Sequence, residues 1–138
     1  MIGLDTNILA RYYIDDENDE EAQKQQMASK RLFESGQSLK VSKTVILEFE
    51  WILRGYYRFD AEDTIAVFQH LLSQSHIHIE SRQEVEQAIS GLADGLDFAD
   101  ALHHAYYQDC EAMASFDDRK FARRVKRLGL TPRIMIPK

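Results

Sequence analysis

The sequence predicts an α/β fold, a three-layer α/β/α sandwich with helices on both faces of a central, mostly parallel sheet. Two observations predict it. Short apolar or alternating segments ("IGLD", "LKVS", "HIHIE", "CEAMAS", "RIMI") alternate with longer segments of helical spacing through most of the chain. Alternation of this kind builds a parallel sheet covered by helices. No repeat or low-complexity linker interrupts the sequence, so residues 1–138 read as one domain.

Taken in order, "IGLD" is a first strand, followed by a helix over Thr6 to Tyr13. A second helix runs from Glu20 to Ser35 and is stopped by Gly36. "LKVS" is a second strand. "KTVILEFEWILRGYY" is helical in length, with Gly55 near its end, and its aromatics Phe49, Trp51 and Tyr56 read as core packing. "DAEDTIAVFQHLLSQS" has an Asp60 cap and helical spacing at Ile65, Phe68 and Leu72, and "HIHIE" alternates with the period of a strand. "SRQE" reads as a capping box of Ser81 with Glu84. In "DFADALHHAYYQ", Asp97 is the natural N-cap and Asp100 the third residue of the helix. "CEAMAS" is a strand, "DDRKFARRVKRLG" a last helix closed by Gly129, and "RIMI" a final strand.

Composition narrows the function. A hydrophobic share of 44% with 29% charged residues fits a soluble globular protein. The single cysteine, Cys110, excludes an intramolecular disulfide and any multi-cysteine zinc site. His76, His78, His103 and His104 lack the ligand spacing of a zinc site. No apolar run is long enough to cross a bilayer and the N-terminus lacks the features of a secretory signal, so a cytoplasmic protein with no membrane partner is expected. The net charge is −6, yet eight of the 17 basic residues follow Asp118 with no acid among them. By itself that stripe reads either as a solvated helix or as a surface that attracts phosphate.

The acids carry the chemistry. In an open parallel sheet, ligands bind outside the carboxyl ends of the strands. Asp5 ends the first strand, Asp117 follows "CEAMAS", and a helix that runs back before a strand brings Asp97 and Asp100 to the same edge. Glu48 lies early in the helix after the second strand. It has Thr44, Val45, Trp51 and Ile52 around it on the helix and no local cation, whereas Glu50 has Arg54 four residues on and reads as a solvated pair. Asp5, Glu48, Asp100 and Asp117 are therefore expected to converge. Asp97 lends charge as a cap, Ser115 orients a carboxylate, and Asp118 is placed to cap the last helix with Asp117 facing the cleft, roles the two could exchange. Two like charges about 4 Å apart repel by roughly 4 kcal/mol at an effective dielectric near 20. Such a cluster needs a cation, and carboxylate oxygens suit Mg²⁺ or Mn²⁺. Bound there, such an ion supports metal-dependent phosphodiester hydrolysis, with Asp5, Asp100 and Asp117 as ligands and Glu48 completing the shell or steering water.

The segments "MIGLDTNILARYY", "VSKTVILEFEWILRGYY", "DFADALHHA" and "SFDDRKFAR" resemble, in order, the successive motifs of the PIN-domain ribonucleases. The likeness is to the VapC-type toxins of type II toxin–antitoxin pairs. The family's acidic quartet falls on Asp5, Glu48, Asp100 and Asp117, and its supporting polar positions on Thr6, Asn7 and Ser115. The resemblance implies a PIN-like fold, a Mg²⁺- or Mn²⁺-dependent endoribonuclease that blocks translation, and a homodimer. It also implies an antitoxin whose arm covers the acidic cleft, with DNA reached only through that antitoxin. Arg119, Lys120, Arg123 and Arg124 then become candidate RNA-phosphate contacts. Two rivals stand beside this reading. A phosphatase of the haloacid-dehalogenase kind wants a second Asp where Asn7 stands. A non-catalytic PIN-like module binding RNA or protein has no use for mutually repelling acids.

Overall fold

A computed structural model of the chain describes all 138 residues. The fold is α/β, with seven α-helices and five strands whose pairings are all parallel. The chain divides into two compact units, Met1–Ser81 and Arg82–Lys138.

In the first unit the order is β1 (Ile2–Gly3), α1 (Thr6–Tyr13), α2 (Glu20–Phe33), β2 (Leu39–Val41), α3 (Lys43–Trp51), α4 (Ala61–Ser73) and β3 (Ile77–Ile79). β2 is the middle strand, pairing Ile2 with Leu39 on one side and Leu39 with Ile77 on the other. Leu39, Val41, Ile77 and Ile79 are buried while Lys40 and His78 face solvent, the period of two that "HIHIE" predicts. Helix ends follow their capping residues. Ser42 Oγ accepts from the Val45 N–H, Asp60 Oδ1 from the Asp63 N–H, and Asp19 Oδ1 from the N–H groups of Glu21 and Ala22. The acidic run from Asp15 to Glu21 thus has a local cause in part, since Asp19 caps α2 and Glu20 and Glu21 sit in its first turn, where the helix dipole favours negative charge.

The long third helix does not stay α-helical. Beyond Trp51 it widens into a π-helical segment, Ile52–Tyr56, marked by the Tyr57 N–H donating to the Ile52 carbonyl at 3.1 Å. Ile46, Phe49, Glu50 and Leu53 form the buried stripe. Glu50 is only 2% exposed, so the expected solvated pair is instead buried on the glutamate side, while Arg54 stays exposed. Arg54 Nε donates to Glu50 Oε2 at 2.9 Å and Nη2 to Oε1 at 3.5 Å. Trp51 and Tyr56 lie off the stripe and are exposed, which corrects their reading as core.

In the second unit the order is α5 (Arg82–Ala93), α6 (Phe98–Tyr106), β4 (Ala112–Ala114), α7 (Phe121–Leu128) and β5 (Arg133–Met135). β4 and β5 form a two-stranded ladder from Ala112–Arg133 to Ala114–Met135. α6 packs on α5 through Gly91, where a Cβ would stand 2.9 Å from Ala101 Cβ. His104 is buried and donates from Nε2 to the Pro132 carbonyl at 2.6 Å. Gly129 closes α7 at φ 68 as the sequence predicts. Ser81, by contrast, stands at φ 54, not in the extended conformation of a capping residue, so the predicted capping box is not its role.

Removing the guanidinium strands a buried carboxylate, so Arg54→Met is expected to cost about 3 kcal/mol in urea unfolding. Adding Glu50→Leu to that variant should recover part of the loss.

Candidate functional site

The first unit gathers half of the predicted residues around one open cavity of about 630 Å³. Parallel pairing of β1 with β2 puts the segments that follow both strands at one edge of the sheet. Asp5, Thr6 and Asn7 enter from β1, and Glu48 from α3 after β2; all four line the cavity. Asp5 is also the N-cap of α1, taking the Thr6 N–H on Oδ1 at 2.7 Å, yet it remains exposed. Capping and cleft are therefore one position, and the carboxylate need not be desolvated to reach it. Glu48 is likewise exposed, and the apolar neighbours that frame it in sequence do not enclose it. Thr6 is 3% exposed, and its Oγ1 has no hydrogen-bond partner. A buried hydroxyl left unsatisfied costs free energy, which a ligand or water in the cavity would return.

Sequence reasoning missed several residues of this cavity. Asp16 and Asp19 add acids to its wall, and Arg11 lines it with Nε donating to Gln25 Oε1 at 2.8 Å. Trp51, 60% exposed, and Tyr56, 74% exposed, line it as well. The helical wheel finds Trp51, which points away from Ile46, Phe49 and Leu53; Tyr56, seven residues after Phe49, would share their face in an α-helix, and it is the π-helical segment that alters its direction.

The second unit gathers the other half. Asp97 caps α6, its Oδ1 accepting from the Asp100 N–H at 3.0 Å, so Asp100 stands at the third helical position as predicted. Asp100 is half-buried, and its carboxyl is raised above the ordinary range, first by desolvation and then by the charges of Asp97 and Asp117. His103 acts in the opposite direction. Asp117 follows β4, and its Oδ1 accepts from the N–H groups of Lys120 at 3.1 Å and Phe121 at 3.4 Å. Asp117, not Asp118, thus caps the entry to α7 while sharing the field of Asp100. The Ser115 hydroxyl accepts from the Asp117 N–H at 3.1 Å, so it fixes the backbone of Asp117 rather than orienting a carboxylate by donation. Phe116, beside Asp117, is 80% exposed.

Of the basic candidates, Arg119, Lys120 and Arg123 are exposed, while Arg124 Nη1 donates to the Gly95 carbonyl at 2.7 Å and tethers α7 to the turn before α6. His76 donates from Nε2 to the Phe33 carbonyl at 2.7 Å. No three His, Cys, Asp or Glu side chains gather closely enough to hold a metal ion on protein donors alone. Oxygen donors in smaller groups still fit a Mg²⁺-type ion, which takes one or two carboxylates and completes its shell with water and substrate phosphate. No helix is long and apolar enough to cross a membrane.

A carboxyl with a raised folded-state pKa makes its favourable contribution below the unfolded value and loses it as pH rises through the folded one. Asp100→Asn should therefore raise the metal-free melting temperature at neutral pH. The advantage should fade as pH falls through the raised carboxyl range, as calorimetry against pH would read.

None of the curated proteins compared matches the chain. Its residues 2–127, spanning most of both units, match the PIN domain. PIN domains are generally nucleases and typically bind divalent metal ions. The chain belongs to the PIN domain family, with the nuclease-type fold that family shares.

Proposed function

We propose that the chain is the toxin of a type II toxin–antitoxin pair, a Mg²⁺- or Mn²⁺-dependent endoribonuclease that cuts RNA and so stops translation in the cytoplasm. The observation that carries the hydrolytic part is the match of residues 2–127 to a family of nucleases, and it is supported by an Asp100 carboxyl raised first by desolvation and then by the charges of Asp97 and Asp117. Acids held together against their own repulsion are the mark of a site that uses a cation. The toxin part rests on the four ordered motifs, with Asp5, Glu48, Asp100 and Asp117 at the quartet positions.

In this reading Asp5, Asp100 and Asp117 hold the ion directly or through water, and the ion when bound supplies Lewis-acid stabilisation of the phosphodiester. Glu48 orients the attacking water from its exposed place on α3. Thr6 Oγ1, buried and unpartnered on the wall that carries Asp5, holds a water in register. Asp97 and Ser115 position Asp100 and Asp117 through the backbone bonds described above. Arg119, Lys120 and Arg123 steer phosphate, and Arg124 acts structurally through Gly95. A homodimer and an antitoxin whose basic arm answers Asp5, Asp16, Asp19 and Glu48 complete the proposal. Control of DNA belongs to the antitoxin.

Cleavage of total cellular RNA with and without chelator, mapped by sequencing of fragment ends, tests the reading. Asp5→Asn should lose at least about a hundredfold in rate, the order expected when a preorganised charge at the reacting centre is removed. Millimolar Mg²⁺ or Mn²⁺ should raise the melting temperature of the wild type but not of Asp5→Asn. Wild-type protein that binds RNA without cutting it would return the binding-module reading.

A further inference from the structure

The acidic cavity of the first unit has a second kind of wall. Trp51 and Tyr56 are both exposed and both line it, beside Asp5 and Glu48. In an α-helix, residues five apart point well away from one another. The π-helical segment from Ile52 takes more residues per turn, which brings residues five apart closer around the axis than an α-helix does. The widening thus turns Tyr56 toward the face that Trp51 occupies.

Gly55 stands beside the indole of Trp51. A Cβ built on Gly55 would lie 3.6 Å from indole Cε2, 3.8 Å from Nε1 and 3.9 Å from Cδ2, three consecutive atoms of the five-membered ring. A larger residue here would pack against that ring; with glycine the tryptophan remains 60% exposed.

The surroundings decide what such a ring is for. A helical protein partner needs a contiguous apolar patch, but Ala10, Ile52 and Tyr57 share the lining of this cavity with Asn7, Arg11, Gln25 and the acids. An unpaired nucleobase needs a π-face to stack on and polar side chains along its edge, and its own phosphate reaches acids through a cation. From this we infer that Trp51 and Tyr56 form a stacking subsite for an unpaired nucleobase of the RNA, next to the scissile phosphate. The inference rests on the nuclease reading for the identity of the reaction. Trp51 and Tyr56 are specificity residues that grip the base, and the carboxylates remain the groups that act on phosphate.

Trp51 is the only tryptophan, so its fluorescence reports on the subsite alone. Stopped-flow mixing of the full chain with a short single-stranded oligoribonucleotide and Mg²⁺ should quench it before turnover, and the same sequence in a duplex should not. Trp51→Ala should raise KM for a single-stranded substrate roughly tenfold with kcat little changed, consistent with base stacking, and Trp51→Phe should restore most of the loss. Cleavage without quenching, or with an unchanged KM in Trp51→Ala, overturns the subsite and leaves the nuclease standing. Quenching without any cleavage supports the subsite and removes the nuclease reading. A fluorescence change that follows protein concentration alone, with sedimentation as a dimer that Trp51→Ala abolishes, assigns the face to a second copy and overturns the inference.

Discussion

Parallel pairing of β1 with β2 is the constraint on which the first unit depends. A parallel ladder leaves every strand pointing the same way, so whatever follows β1 and whatever follows β2 must emerge at one edge. Asp5 and Ser42 are the residues that convert each exit into a helix start, one through its carboxylate and the other through its hydroxyl. The caps therefore do two things at once. They satisfy helix N–H groups, and they orient α1 and α3 so that Asn7 and Glu48 line the cavity with Asp5. The second unit repeats the device with Asp97 before α6 and Asp117 before α7, each accepting from backbone N–H groups three residues on.

That economy explains why the fold was largely legible in the sequence. α1 spans Thr6–Tyr13 as its pattern indicates, and the strands, helices and caps at Asp60 and Asp97 fall within a few residues of their predicted bounds. Less was legible where neighbours along the helix stood in for the helix face. Glu48 is flanked by Thr44, Val45, Trp51 and Ile52, yet it lies off the stripe of Ile46, Phe49, Glu50 and Leu53. A local cation correctly paired Glu50 with Arg54, but only the wheel tells that the pair is buried on one side. Trp51 was misread for the same reason, whereas Tyr56 has core spacing in an α-helix and was misread because the π-helical widening has no sequence signature of its own. The exchange of roles between Asp117 and Asp118 depends on a turn at Asp118–Lys120. Spacing alone does not fix such a turn.

Electrostatics separates structural from functional acids more sharply than position does. Asp19 and Asp60 are accounted for by their helices. Glu50 has a guanidinium with two donors. Asp100 is different: it is half-buried, and of the three charges that act on it two are carboxylates. Asp5 and Glu48 stand exposed on a wall with Asp16 and Asp19, where Arg11 is tied to Gln25. A protein that needed these residues only for folding could replace the crowded ones with Asn or Ser at no loss of capping.

The proposed function requires Asp5 and Asp117 to serve one hydrolytic reaction. A double-mutant cycle on the cleavage rate tests it most directly, using Asp5→Asn from the first unit and Asp117→Asn from the second. Residues that act as one catalytic group are strongly non-additive, so the double variant should be no slower than the slower single one. Losses that multiply, or wild-type cleavage by either single variant, would contradict the account.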